Sequence, residues 1–372
     1  MSSSPRAGRL KPGKKPGKKL GKKLGKTAAS PKKPAGTRAL RPSSGRLTLK
    51  DVASLAGVST MTVSRVINQP DTVSPDVQAA VKEAIARIGY VPNLLAGGLA
   101  SSRTGLIAAI LPALAHMMFA SIAQVVNDRC AARGYQVLLG ISGYPETVRE
   151  EELIRSILSR CPEALYLTGT FHSPATRRLL KAAKIPIVET WDLSRRPIDM
   201  AVGFSHRAVG EAVGAHLLAR GHRRFAVITA GDERAIMRRD AFVKAVTAAG
   251  AAPPECIITP SATNLPMGRE MLGRLVDQGF RGAIFCSSDA LALGVLTEAQ
   301  ARGLAIPGDI AVMGFGDFDY AAHTSPSLSS VHVDRNRVGH LVADALLARL
   351  DGKKVTPKVI DVGFDVVGRG ST

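Results

Sequence analysis

The sequence predicts a small all-α helix-turn-helix headpiece followed by an α/β body of two doubly wound parallel-sheet lobes. Three observations predict it. Three short helical patterns lie between Leu49 and Gly89. From Gly105 onward, β-rich runs alternate with helical patterns, and that alternation comes in two series of similar length. A chain of 372 residues exceeds one ordinary domain and suits a small domain beside a large two-lobed one. The expected division is a disordered basic tail over 1–46, the headpiece over 47–92, a hinge or linker over 93–104 and the body over 105–372.

The headpiece pattern places helices at Leu49–Ala56, Thr60–Asn68 and Pro75–Ile88, with Thr48, Ser59 and Ser74 as N-caps and Pro75 at a first helical position. Counting Leu49 as one, Ala53 is fifth, Gly57 ninth and Val63 fifteenth. A steep crossing of two helices needs a small residue where they touch, here Ala53. The tight turn between them needs a residue that accepts positive φ, here Gly57. Val52, Ala56, Val58, Val63 and Val66 supply the apolar faces, which leaves Thr60, Met61 and Arg65 facing outward. On a helix that enters the major groove, Arg65 suits two hydrogen bonds to guanine, and Thr60 and Met61 suit base edges or a thymine methyl. Ser59, Thr62, Ser64 and Asn68 suit phosphate contacts. The bland alternative is a three-helix cluster with a surface arginine.

In the body the first series runs LIAAILP, Ala120–Arg133, YQVLLGI, Glu150–Arg160, ALYLTG, Thr176–Ala183 and IPIVET. The second runs Ala208–Arg220, RFAVITA, Arg238–Ala249, Cys256–Thr259, Met267–Gln278, AIFCSS, Ala290–Arg302 and IAVMGF. Each is read as one lobe, with a cleft between them. Ligands of such sheets sit beyond the carboxyl ends of the strands.

Charge separates the tail from the rest. Residues 1–46 carry 15 Lys and Arg and no acid, which leaves 35 basic against 30 acidic residues for the remainder of a chain of net charge +20. The run KPGKKPGKKLGKKLGK repels itself and lacks a core, so it is expected to be disordered. It reads as an arm for phosphates, or alternatively as a solvated tail or an upstream start that is not the true one. Cys130, Cys161, Cys256 and Cys286 are widely spaced without a C-x-x-C pair, which argues for a reducing cytosol. No run of 18 apolar residues and no secretory leader are present, so no membrane partner and a cytoplasmic, nucleoid-associated location are expected. No metal site and no cofactor are expected either.

LKDVASLAGVSTMTVSRVIN resembles the headpiece of the LacI/GalR family of bacterial repressors, and VSPDVQAAVKEAIARIGYVPN resembles its third helix and linker start. LARGHRRFAVI, IPGDIAVMGFGD and SPSLSSVHVD resemble its second lobe and crossover. Within the family, GYPETVREEELIRSILS, IPIVETWD, DMAVGFS, GDERAIM and VTPKVIDVGF look like the gluconate-operon branch. The tail has no counterpart in the family. The resemblance implies a periplasmic-binding-protein-like body and a homodimer or tetramer on double-stranded DNA with a pseudopalindromic operator. It also implies a small-molecule inducer, here a sugar acid such as gluconate or a phosphorylated derivative. The absence of a terminal heptad run favours the dimer. By position, Thr60, Met61 and Arg65 match recognition residues, Tyr90, Pro92 and Asn93 the linker start, and Leu99 the leucine wedged into the minor groove. Gly97 and Gly98 depart from the hinge-helix pattern and weaken it by about 1 kcal/mol each.

A sugar acid needs a guanidinium or backbone donors at its carboxylate, and carboxylate, amide or hydroxyl partners along its chain. Arg238, expected at a helix start, matches the family position that commonly holds an effector oxygen, with Arg239 as rival. Asp289 falls in the loop before a cleft-facing helix, where Ser288 replaces the usual Asn, and Asp317 follows a Gly316 that stands where the usual acid would be. Glu189, Trp191 and Asp192 follow a strand, and the Trp can stack on a sugar face. Tyr144, Thr170, His172 and Ser205 lie on other strand-end loops, and His116 and Phe119 follow the first strand. No G-x-S-x-G, H-E-x-x-H or P-loop is present and no nucleophile–base pair has meaningful spacing, so no catalytic residue and no enzyme are expected. The function this points to is an effector-controlled repressor. An activator of the same family, a sequence-tolerant DNA binder driven by the tail, and a sugar-binding protein without DNA function are the alternatives.

Overall fold

The computed structural model describes residues 47–92, 104–114, 116–143, 146–259 and 263–372, except for the side chains of 146–148. The chain divides into two compact units at Val91/Pro92. The expected tail (1–46), and Asn93, Gly97, Gly98, Leu99 and Tyr144, lie outside the described residues.

The first unit holds α1 (Leu49–Ala56), α2 (Thr60–Asn68) and α3 (Pro75–Ile88) at the expected bounds, with a short 3-10 turn at Pro70–Thr72. Gly57 ends α1 at φ +66°, as the turn demands. Val52, Ala53, Val63, Val66, Val81, Ala84 and Tyr90 form its core. Ser59 makes the side-chain cap bond expected of it, and Thr48 joins Asp51 in a capping box. The Asp51 carboxylate accepts from both the N–H and the hydroxyl of Thr48, each at 2.7 Å. Ser59 Oγ accepts from Thr62 N–H at 3.1 Å. Ser74 is a correction: it occupies the cap position with extended backbone, but its side chain makes no cap bond, and Pro75 starts α3 by fixing φ instead.

The second unit is built on two six-stranded sheets. Lobe 1 contains β1 (Leu106–Leu111), β2 (Gln136–Ile141), β3 (Ala164–Thr168), β4 (Ile187–Thr190), β5 (Met200–Gly203) and β11 (Val359–Asp361), in the order β11-β5-β4-β3-β1-β2, all parallel. Its helices are α4 (Met117–Ala131), α5 (Glu146–Leu158), α6 (Pro174–Ala183) and α11 (Arg335–Leu350). Lobe 2 contains β6 (Phe225–Ala230), β7 (Glu255–Thr259), β8 (Gly282–Cys286), β9 (Ile310–Gly316), β10 (Ser329–His332) and β12 (Asp365–Val367), in the order β12-β10-β9-β8-β6-β7. Its helices are α7 (His206–Ala219), α8 (Glu233–Ala248), α9 (Leu265–Asp277) and α10 (Asp289–Ala301).

The parallel sheets were expected. The edge strand β12 differs: it runs antiparallel to β10. The lobes also interleave. The chain crosses at residues 204–205, returns at 333–334 to add α11 and β11 to lobe 1, and crosses again at 362–364. One large apolar cluster therefore contains residues of both lobes, among them Phe119, Trp191, Phe204, Phe242 and Phe315.

Candidate DNA-binding face and candidate effector site

In the headpiece, Val63 and Val66 turn α2 inward, which leaves Thr60, Met61, Arg65 and Asn68 exposed on the other side, with Met61 65% accessible. Ser59 and Thr62 sit together at the helix start, 2.9 Å apart through their hydroxyls. Asn68 donates to the Ser64 carbonyl at 2.9 Å and to its hydroxyl at 3.3 Å, which pins the amide at the helix end. No acid among the described residues pairs with Arg65, so the guanidinium stands ready for an external acceptor. Tyr90, expected at the linker start among the DNA contacts, is 8% exposed and its ring belongs to the headpiece core.

In the body, the carboxyl ends of β4 and β9 meet near the crossovers. Trp191 closes β4 at φ +66° and is 2% exposed. Its ring lies edge-on to Phe204 (4.9 Å between centroids), Phe119 (6.1 Å) and Phe315 (6.4 Å). Asp192, next in sequence, accepts from Thr170 Oγ1 at 3.0 Å and from the Leu193 N–H at 2.7 Å. Burial raises its pKa against the pull of Arg234 and Arg238. Facing it from lobe 2, Arg238 is 5% exposed and lies 4.0 Å from the Phe315 ring centroid. It donates to the Ser287 carbonyl at 3.2 Å and approaches His206 Nδ1 at 2.9 Å. Burial lowers its pKa to about 10. Its Nε has no hydrogen-bond partner and no carboxylate lies within ion-pair distance among the described residues.

The structure thus brings Phe119, Thr170, Trp191 and Arg238 together, with Asp192. Arg234, which the sequence reading passed over, joins them: it is 4% exposed and 5.7 Å from the Phe119 ring centroid. The signal was present. α8 begins at Glu233, where Asp232 Oδ1 accepts from Ala235 N–H at 3.1 Å. Arg238 is therefore in the second turn, not at the helix start, and Arg234 precedes it by four residues on the same face. His206 and Phe315 were passed over too, because only the crossover brings them to the site.

Other expected residues lie elsewhere. Glu189, on β4, shares a face with Ile187, which packs in the cluster beneath α5 and α6. It is fully buried, accepts from the Ile198 N–H, and lies 3.5 Å from His172 and 3.7 Å from Arg177. His172 in turn meets Glu150 at 2.8 Å. Asp289 is not in a loop: it is the first residue of α10 and points inward. Its carboxylate accepts from Ser330 Oγ at 2.6 Å and Phe318 N–H at 2.9 Å, and burial raises its pKa to about 6. Asp317, at φ +47°, is tied to Arg369 at 2.7 Å and to His332 at 3.0 Å. Ser205 and Ser288 are helix caps, accepting from Ala208 N–H at 3.2 Å and Leu291 N–H at 3.3 Å. Arg239 spends its guanidinium on Asp240 at 2.6 Å.

A helix-turn-helix unit with an exposed polar helix face and, as a separate unit of the same chain, a two-lobed α/β domain holding a buried cation near its crossovers have the architecture of a DNA-binding regulator. Residues 48–93 match the bacterial regulatory proteins, lacI family, and residues 215–372 match the periplasmic binding protein-like domain. The chain is 37% identical over 334 residues to the HTH-type transcriptional regulator GntR of Pseudomonas aeruginosa, covering 89% of this chain and 97% of that one. It is 34% identical over 328 residues to the regulator of the same name in Escherichia coli, covering 88% and 98%. A transcriptional regulator of the LacI family from Silicibacter pomeroyi superposes with a TM-score of 0.82 at 31% identity, over 87% of this chain and 99% of that one. The chain belongs to the lacI family of bacterial regulatory proteins, and it is a DNA-binding transcriptional repressor rather than an enzyme. Repressors of this family bind operator DNA and small-molecule sugar effectors and act as dimers.

Proposed function

We propose that this repressor is released from a pseudopalindromic operator by a sugar acid, gluconate or a phosphorylated derivative, bound in the interlobe cleft. The observation that carries the reading is Arg238: a buried cation with no carboxylate in contact among the described residues and a free Nε. Asp232 and Asp192 act on the buried Arg238 charge only from a distance, and an incoming carboxylate supplies a partner in contact. The landmarks of the gluconate-operon branch support the same ligand class. Arg238 takes the acid end. Thr170, Asp192 and Trp191 supply a hydroxyl, an acceptor and an aromatic face for the polyol, and Phe119 closes the first-lobe side. On α2, Arg65, Thr60 and Met61 read bases while Ser59, Thr62, Ser64 and Asn68 hold phosphates. Asn93 and Leu99 extend the contact into the linker. The protein works as a homodimer on the nucleoid in the cytoplasm. Effector binding favours the conformation that misfits the operator, a shift of populations between two states.

A thermal-shift screen of sugar acids joined to operator binding tests this. A ligand that binds only the native state raises its melting temperature. Gluconate or its phosphorylated form is expected to raise it and to weaken operator binding, and Arg238→Met to abolish both responses to added ligand. A rise produced only by neutral sugars, or one that survives in Arg238→Met, refutes the assignment.

A further inference from the structure

His206 sits where the lobes are tied together. It follows the crossover at residues 204–205, is the first residue of α7 and is fully buried. Its Nε2 lies 2.7 Å from the carbonyl oxygen of Trp191 in lobe 1, and its Nδ1 lies 2.9 Å from Nη1 of Arg238 in lobe 2. A guanidinium only donates, so Nδ1 accepts from Arg238 and Nε2 carries the proton given to Trp191. That fixes one neutral tautomer. Burial, with the charges of Arg238 and Arg234, holds the imidazole well below its usual range, in agreement with the geometry. The ring is also held edge-on to Phe204 at 4.6 Å. On the far side of the bond, Trp191 is kept at φ +66°, a backbone region a bulky residue adopts only when its surroundings impose it.

We propose that His206 is the positioning residue that carries the state of Arg238 across the lobes to Trp191. The imidazole is rigid, so a displacement at Nδ1 is passed to Nε2 and to the carbonyl that anchors the strained Trp191. An anion that draws the guanidinium toward itself weakens the Arg238–His206 bond, and the edge-on packing of Trp191 on Phe119 and Phe204 responds. A competing route exists: Arg238 lies over Phe315, whose ring is 6.4 Å from that of Trp191. The proposal rests on the sugar-acid reading only for its ligand arm.

Trp191 is the single tryptophan of the chain, so intrinsic emission of the full-length protein reports this residue alone. The first arm needs no ligand. Arg238→Met is expected to shift the emission of the otherwise unaltered protein. The same replacement in a His206→Phe background is expected to shift it by less than half as much, a coupling read from the double-mutant cycle. His206→Gln, whose amide both donates and accepts, is expected to keep the response. His206→Asn reaches Arg238 but not the Trp191 carbonyl, so it is expected to lose it, and it serves where the Phe variant does not fold. A cycle in which the Arg238→Met shift is the same in both backgrounds routes the signal through Phe315 and overturns the proposal. In the second arm, gluconate is titrated with calorimetry, emission and operator release read together. The wild type is expected to show all three. His206→Phe and His206→Asn are expected to bind gluconate with the emission change and the release largely lost. Retention of both responses in these variants overturns the proposal. Absence of any gluconate heat in the wild type refutes the effector class instead, and the ligand-free cycle still decides the role of His206.

Discussion

Two residues show how the same type of observation separates function from stability. Arg65 is exposed on α2 and unpaired among the described residues, whereas Ser59 caps the helix from the same surface. Arg65→Ala should therefore leave folding untouched and weaken operator binding by about 1–3 kcal/mol, roughly 5- to 160-fold, with specificity relaxed at one base pair. Competition binding against operators altered at single positions checks this, and a loss equal on every sequence would make Arg65 a phosphate contact. His172 makes the opposite case. It bridges Glu150 at 2.8 Å and Glu189 at 3.5 Å. Burial opposes its charge, but the hydrogen bonds to Glu150 and Glu189 outweigh burial and lift its pKa from 6.5 to about 9. Arg177, 3.7 Å from Glu189, is the other charge on the cluster. The folded state thus holds an extra proton between these values. Its stabilising contribution is complete below pH 6.5 and is lost as pH rises through 9, on the order of 3 kcal/mol at most. Urea midpoints of the wild type should fall across that window and those of His172→Gln should stay flat. Parallel slopes would remove His172 from the account. The sequence shows a histidine on a strand-end loop. That its carboxylate partners come from α5 and β4 is a fact of packing.

At the scale of elements, legibility follows from how local the cause is. The headpiece helices match residue for residue because caps, a turn glycine and a 3.6-residue apolar period act within a few residues. The start of α8 was misplaced because Asp232, its cap, reads as one more loop acid, and the error hid the alignment of Arg234 with Arg238. Glu189 was placed at the cleft because it lies near the end of a β-run, yet strand alternation turns it to the helix-covered face, and the left-handed backbone of Trp191, two residues later, breaks that alternation. Helix contacts that need the absence of a side chain are also invisible in one sequence. A Cβ on Gly210 of α7 would stand 2.1 Å from the Arg238 carbonyl oxygen of α8, backbone that does not yield cheaply. Gly210→Ala gains about 1 kcal/mol of helix propensity, but the overlap costs about 1–3 kcal/mol or more, so the clash decides the sign. A lowered denaturation midpoint is expected, together with a weakened gluconate response, because the helix carrying Arg238 is the one displaced. An unchanged or raised midpoint would mean that the two helices slide apart freely.

At the scale of the whole molecule, the two-lobed body was legible as alternating strands and helices, but its connectivity was not. Nothing local marks that α11 and β11 return to lobe 1 after β10, and it is this interleaving that brings three crossovers together and sets His206 between Trp191 and Arg238. Charge, by contrast, is fully legible. The 15 basic residues of 1–46 carry most of the net charge of +20, and the remaining 326 residues are close to balance. Each phosphate neutralised by the protein releases counterions and steepens the fall of log affinity with log salt by about 0.9. A tail that tracks the backbone therefore adds to operator and random DNA alike, while base contacts from α2 set the difference between them. Removing residues 1–46 should flatten the salt dependence on both DNAs by several such increments and weaken both at low salt. The ratio of operator to random affinity should stay within about a factor of two, because phosphate contacts carry no sequence information. Titrations at a series of salt concentrations measure the slope and the ratio together. A slope unchanged by the deletion would make the tail a solvated appendage. A ratio that collapses with it would mean that discrimination depends on the arm as well as on the helix.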